Sequence, residues 1–451
     1  MPSTKRNLWN RGSLDNKESK KQKPKKNKEE NMPDNFYKQA AAEVLRDAAT
    51  EKKEAQPEAV EVVENKDLPE ETVQSPPLTE TIKAAAVEDV SQKMQQFSAS
   101  ADSMSDDSFD DFDFVEAYDG APAEPDERML PENTAQSAIS CAFIGVGGGG
   151  GKLAKAFLDL GFCKTLLVNT TIKDQPDGVP SENFLLIPGA DGVGKDVNLG
   201  KQVLENNSAL FEDTLRTRIG KVDWIFVLAG GGGGTGSACS VLHTSLERHL
   251  KSTGASGKVV YIVSKPTAQE LLNPTIASNC SSILDDISSH PNIVIDNEKQ
   301  LQLLRGRVGM LDMYPAANKN FGKLLSQVLK LASENSPIQS FDSKDLEKCL
   351  STPGRMVIGS TVARDVSKQD LGSVLFEGCV RSSPCLPPES RAKTGAMLLV
   401  ATSEMVSDPT ISKKIEATLS YVGGRTDTLF SGVYIKQSLP GLIGICLLGG
   451  M

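Results

Sequence analysis

Two apolar runs in this chain pass directly into glycine tracts: CAFIGV (141–146) into Gly147–Gly151, and WIFVLA (224–229) into Gly230–Gly234, followed by Thr235, Gly236 and Ser237. No other feature narrows the fold as much. A tight turn needs one or two glycines, whereas five in succession leave a backbone with little conformational preference of its own. Such a tract is useful where main-chain N–H groups must approach a ligand closely, and a helix starting beyond it adds free first-turn N–H groups. In a parallel α/β sheet the C-terminal strand ends share one edge, so both tracts open there. Two phosphate-facing turns on one edge describe a nucleotide with an extended phosphate chain.

From Ser140 onward strand-like and helix-like stretches alternate. After the first tract come helix KLAKAFLDLG, strands TLLVNT and NFLLIP, helix DVNLGKQVLENNSALFEDTLRTRI, strand WIFVLAG, a helix over 237–251 and strand KVVYIVS. A helix over 279–287 and strand NIVID follow. Near-continuous apolar strands alternating with helices predict an α/β fold, Rossmann-like, with a mostly parallel sheet covered on both faces. Apolar residues from Leu301 to Leu331 recur at helical spacing and predict one long central helix, with Pro315 as its one point of interruption. A smaller α+β domain follows, with strands RMVIGSTV, AMLLVAT, TLFSGVYI and LIGICLLGG and helices near 371–380 and 411–419. The expected organisation is an N-terminal extension (1–138), a nucleotide-binding domain (139–296), the central helix (297–335) and a C-terminal domain (336–451).

The net charge of -10 is unevenly spread. Residues 1–28 carry ten Lys/Arg against two acids, residues 29–130 eight against 27, and the remainder is balanced. The first 130 residues are rich in Glu, Lys, Ser, Pro and Gln, a composition that cannot offset its own ordering entropy, and are expected to be mostly disordered. Two islands break the pattern: NFYKQAAAEVLRDAA, with an apolar helical stripe, and the acidic, aromatic DDSFDDFDFVEAYDG. Either is a candidate docking peptide for an adaptor or a membrane; the basic run KESKKQKPKKNKEE reads as a solvated charge run, and no specific nucleic-acid partner is expected. No apolar segment in the first 30 residues has the character of a signal peptide, and the last strand runs to Met451, so neither a leader nor a tail is expected. Eight scattered cysteines without a C-x-x-C pair and only three histidines argue for a reduced, cytoplasmic chain with no His-based or Cys-based metal site.

Common nucleotide fingerprints fit poorly. Gly145, Gly147 and Gly150 satisfy G-x-G-x-x-G, but the second strand ends in Asn169, Thr170 and Thr171 where that pattern requires an acid, and the second tract is left without a role. The P-loop pattern fails at Val146 and Leu153. A nicotinamide-dependent oxidoreductase is therefore the weakest reading.

GGGTGS (Gly232, Gly233, Gly234, Thr235, Gly236, Ser237), preceded by an apolar strand, resembles the signature loop of the tubulin/FtsZ family, and the element order is similar over essentially all of residues 139–450. GVGGGGGK, with Gly147, Gly148, Gly149 and Gly150, looks like that family's first phosphate loop, VNT with Asn169 like its second, and PGADGVGKDVNLG, with Gly192, Gly194 and Gly200, like its third. The resemblance implies GTP and Mg²⁺ as cofactors, Glu270 of KPTAQE as the ribose contact, and Asn297 and Asn279 as guanine-reading residues. It also implies that Asp342 and Asp345 of SFDSKDL orient the attacking water on the nucleotide of the next subunit, so that a head-to-tail homopolymer builds the GTPase site. Phosphoryl transfer suits that division, because it requires mainly positioning and charge stabilisation.

The chain also departs from the family pattern. Ser340 stands where Asn precedes the two acids, Pro274 where bacterial members carry Arg, Thr171 where Asp is common, and Ala238 where a further Gly is frequent. These changes touch turnover more than binding. The expected function is thus a GTP-hydrolysing cytoskeletal filament protein serving cell division or positioning; the alternative is a slow or non-hydrolysing GTP-binding filament protein that co-assembles with a standard FtsZ.

Overall fold

The computed structural model describes residues 130–451. The two sequence islands and the basic run lie outside the described residues. In chain order the first half contains β1 (Cys141–Val146), α1 (Gly147–Leu158), β2 (Thr165–Asn169), β3 (Phe184–Leu186), α2 (Val197–Asn206), α3 (Ser208–Thr214), β4 (Trp224–Gly230), the short α4 (Gly234–Ser237), α5 (His243–Ser252), β5 (Val259–Lys265), α6 (Pro274–Ile287) and β6 (Pro291–Asp296). The second half contains α7 (Asn297–Leu304), α8 (Met313–Leu331), α9 (Ser343–Ser351), β7 (Gly354–Ala363), α10 (Leu371–Ser382), β8 (Ala392–Ala401), α11 (Ser403–Ser407), α12 (Pro409–Gly423), β9 (Thr426–Ile435) and β10 (Leu442–Gly449). The described strands form one sheet in the order β3-β2-β1-β4-β5-β6-β7-β10-β8-β9. β1 to β7 pair parallel, and β10 runs antiparallel between β7 and β8. This is the α/β, mostly parallel architecture that the strand pattern predicts.

Continuous apolar strands arise because both faces of the sheet are covered. Along β1, Cys141 and Phe143 enter one core while Ala142, Ile144 and Val146 enter the other. Phe143 is fully buried, stacked 4.0 Å from Phe157 of α1 and 5.0 Å from Phe226 of β4. α8 closes the first face, with Phe321 meeting Phe157 edge-on at 6.3 Å, so α1 is held between sheet and helix. That packing fixes where the first glycine tract points.

Three expectations need correction. The single central helix is two helices, and the interruption is at Arg305–Asp312, not at Pro315, because Gly306 takes φ +77° while Pro315 sits in the first turn of α8, where a missing N–H costs little. The long helix after the third loop is broken at Asn207, whose side-chain amide donates to the carbonyls of Pro188 and Val203. The packed body begins by residue 130 rather than 139: Asn133 donates to Cys141 O and accepts from Lys164 N, and Ala138 N donates to Leu329 O.

Two of the chain's histidines meet in one cluster below the sheet. The His243 and His290 ring centroids are 4.1 Å apart, and His243 Nδ1 lies 3.0 Å from the hydroxyl of the buried Tyr261. Burial first, then His290, hold His243 below the usual histidine range, while Glu247 acts in the opposite sense. A depressed folded pKa means that the unfolded chain binds the proton more readily, so stability is retained above the unfolded histidine value and lost as pH falls through it. Urea titrations are expected to show midpoints that fall between about pH 7 and about pH 5, with a shallower slope in His243→Gln; equal slopes would refute this assignment.

Candidate functional site on the C-terminal edge of the sheet

The two glycine tracts do share an edge. β1 and β4 pair in parallel with Val146 opposite Ala229, so both tracts leave neighbouring strands at the same level. Contrary to the reading of flexible loops, each tract is partly helical. The first forms the opening turns of α1, and the second enters α4 at Gly234. Neither Val146 nor Gly233, the residues at the two N-caps, contributes a side-chain cap, so the first-turn N–H groups of both helices lack that partner. The tracts touch backbone to backbone. A Cβ at Gly147, which holds φ +70°, would lie 2.8 Å from Gly236 N, and one at Gly150 would lie 2.2 Å from Leu228 O. These glycines are required by close approach, and the product is a single platform with two helix N-termini, suited to an anion.

Side chains complete the platform. The hydroxyls of Thr170 and Thr235 are 2.9 Å apart and buried, tying the loop after β2 to the second tract. Ser237 is fully buried and its Oγ has no hydrogen-bond partner in the structure. An orphaned hydroxyl beside two uncapped helix starts fits a ligand oxygen. Asn169 Oδ1 accepts from Thr170 N at 2.8 Å, and its Nδ2 donates to Asp174 Oδ2 at 3.3 Å. The Asp174 carboxylate in turn lies 2.8 Å from where a Gly148 Cβ would stand. Sequence reasoning missed Asp174, because its nearness to the first tract exists only once β2 is placed beside β1.

The third loop packs against the second tract: Val193 Cγ2 lies 2.6 Å and Asp196 N 3.0 Å from a Cβ built on Gly234. Gly192, Gly194 and Lys195 all take positive φ, and Lys195 is the one non-glycine among the described residues to do so. Asn279 holds this loop in place. Its Nδ2 donates to Lys195 O at 2.9 Å and Gly232 O at 3.3 Å, which commits its amide hydrogens to the protein's own backbone. A cleft of about 410 Å³ opens here, lined by Gly194–Asn198 and by Thr275, Ser278, Asn279 and Ser282 of α6; it reaches no residue of the first tract. Asn279→Ala is expected to cost about 1–2 kcal/mol in chemical denaturation through two lost backbone bonds. An unchanged midpoint would contradict the tie.

Glu270 and Asn297 lie past the ends of β5 and β6. Glu270 Oε2 accepts from Thr267 N and Oγ1, both at 2.8 Å, and Asn297 opens α7 under the cap of Asp296. Tyr314, also missed from sequence, stands near Glu270 and Glu298; burial, then these two carboxylates, raise its pKa.

Asp342 and Asp345 lie elsewhere. α9 leads into β7, whose Gly354 pairs with Pro291 at the start of β6, and Lys258 Nζ donates to Ser351 O. This is the N-terminal edge of the sheet, opposite the glycine tracts. Asp342 caps α9 by accepting from Lys344 N and Asp345 N, and Asp345 accepts from Asp342 N at 3.4 Å, a reciprocal capping box. Burial, then the neighbouring Asp342 charge, raise the pKa of Asp345, with its hydrogen bond from Asp342 N acting in the opposite sense. The fully buried Phe341 anchors the turn, bonded through its N and O to the Tyr434 hydroxyl at 3.1 Å each.

No family model matches the chain. It is 24% identical over 237 residues to the cell division protein FtsZ of Wigglesworthia glossinidia brevipalpis, covering 51% of this chain and 59% of that relative, and 24% identical over 327 residues to the FtsZ of Methanothermobacter thermautotrophicus, covering 70% and 80%. The chain thus spans about three fifths of the first relative's length. The chain is similar to FtsZ and CetZ proteins of the tubulin/FtsZ family. Its fold is shared with CetZ2 from Haloferax volcanii, solved as a GTPγS-bound protofilament, at TM-score 0.57 and 22% identity over 69% of this chain and 93% of that one. In this chain the glycine tracts lie on one edge of the sheet and the paired acids on the other. Among the described residues, no helix is long and apolar enough to cross a membrane.

Proposed function

We propose that this protein binds GTP on the C-terminal edge of its sheet and stacks head to tail into filaments, with hydrolysis at the junction. The observation that carries the reading is the joined platform of uncapped α1 and α4 with the orphaned Ser237 hydroxyl, facing away from Asp342 and Asp345. Gly147–Gly150 and Gly232–Ser237 would hold the phosphates through main-chain N–H groups, Glu270 the ribose, and Asn297, together with the Oδ1 of Asn279, the base. The described residues contain no cluster of three or more metal-binding side chains. Mg²⁺ would therefore rest mainly on phosphate oxygens with Asp174 beside them, and when bound would neutralise charge on the transferred phosphoryl group. Residues 139–296 would act as the nucleotide-binding part and 336–451 as the part presenting the acids to the next subunit. Cell division is the process that the FtsZ relatives' names point to, and the N-terminal extension is the segment available to an adaptor.

The decisive experiment incubates the full chain with GTP or ATP and Mg²⁺, following nucleotide retention, pelleting and phosphate release. Selective GTP retention with GTP-dependent pelleting is expected; no guanine nucleotide binding would end the proposal. A second reading, binding and co-assembly without turnover, is favoured by the capping box, which engages both acids in local bonds, and by Ser340 accepting from Ser336 N at 2.9 Å. Retention and pelleting without phosphate release would select it.

A further inference from the structure

One apolar cleft in the described residues plays no part in the nucleotide edge. It lies between α7, the N-terminal half of α8, and Ser360, Ser382 and Pro384, with a volume of about 150 Å³. Leu303, Leu304, Phe321 and Leu324 form its apolar wall; Arg307 and Lys323 are its charged members, and no carboxylate lines it. An apolar cavity of about this volume takes one aromatic ring.

Charge and composition select the occupant. Residues 107–119, DSFDDFDFVEAYD, carry six acids and four aromatic residues with no Lys or Arg. The basic run near the N-terminus would instead be repelled by Lys323 and Arg307. Phe112 and Phe114 are two residues apart, so an extended backbone turns both to one side, with Asp111 and Asp113 on the other.

Geometry permits the reach. Ten residues (120–129) join this segment to the described body and span about 35 Å when extended. Thr134 donates its hydroxyl hydrogen to Gly161 O, and Leu160 Cδ1 lies 3.2 Å from where a Cβ of Gly322 would stand, between Phe321 and Lys323. Leu130, the first described residue, packs on Gly220 in the turn before β4, and the 15 residues between Phe114 and Leu130 span about 50 Å when extended, which gives the segment the length to reach α8.

We propose that residues 107–119 dock in this cleft of their own chain, one ring of the Phe112/Phe114 pair between α7 and α8 and the acids facing Lys323 and Arg307. The contact is independent of what the sheet edge binds. A ten-residue tether supplies an effective concentration on the order of 1 mM, so an intrinsic Kd of about 0.1 mM keeps about nine tenths of the chains docked.

Hydrogen exchange on the full chain, parent against Phe112→Ser/Phe114→Ser, tests this. The substitutions lie outside the described body, so its core is left intact. About tenfold faster exchange over 297–307 and 317–327, with β10 unchanged, is expected from that docked fraction; equal exchange would overturn the proposal. Benzoylphenylalanine in place of Phe114 gives a second readout. Photo-adducts on α7 or α8 of the same chain support docking, whereas adducts only on another copy, only elsewhere on the chain, or none at all refute it.

Discussion

Gly150→Ala is expected to weaken GTP binding by at least about a hundredfold, about 2.8 kcal/mol. The added methyl would stand 2.2 Å from Leu228 O and 2.9 Å from Leu228 C, both backbone atoms of β4 that cannot swing aside. Relief requires α1 to move away from β4, which separates the first tract from the second and removes the shared platform. Overpacking of this kind also costs about 1–3 kcal/mol of folding stability, so binding is to be measured by calorimetry below the unfolding midpoint of the variant. Gly423→Ala is the internal control. It sits in α12 with its nearest neighbour, Leu429 Cδ2, at 3.7 Å, an ordinary contact. There the same substitution should stabilise by up to about 1 kcal/mol and leave binding unchanged. Equal nucleotide affinity in the parent and Gly150→Ala would show that the joined tracts are not the anion site.

The second large effect concerns Asp342 and Asp345. Alanine at either position would confuse two roles, because loss of a helix cap alone costs about 1 kcal/mol. Asp342→Asn separates them. Asparagine caps as well as aspartate, so the α9 start should persist with little change in stability, while the carboxylate charge is gone. If Asp342 positions the attacking water at a junction, phosphate release should fall by at least about a hundredfold with pelleting retained. Unaltered release in Asp342→Asn, from a parent that does hydrolyse, would reduce the acids to caps.

Much of this architecture is legible in the sequence because burial on both faces forces uninterrupted apolar strands, as in WIFVLA, and because only a demand for close approach explains five adjacent glycines. The opposite placement of the acids follows from the same order of elements. What escaped has physical reasons. Asp174 reaches the first tract through strand order, and Tyr314 comes near Glu270 through the turn between α7 and α8, neither of which a local pattern encodes. The helical state of Gly147–Gly151 was hidden by the low helix propensity of glycine, overridden here by packing of α1 against Phe143 and α8. The interruption at Arg305–Asp312 did carry a local sign in Gly306 and Gly309, whereas Pro315 is tolerated in the first turn of α8.

Separating the glycine platform from Asp342 and Asp345 by the height of the sheet has an arithmetic outcome for a row of stacked copies. If the acids act on the neighbouring copy's nucleotide, a solitary copy would own both halves of a reaction centre yet complete none, and a row would complete one fewer centre than it has members. Output per molecule should therefore start near zero in dilute solution, climb steeply once rows form, and level off as the two unpaired ends become a negligible fraction.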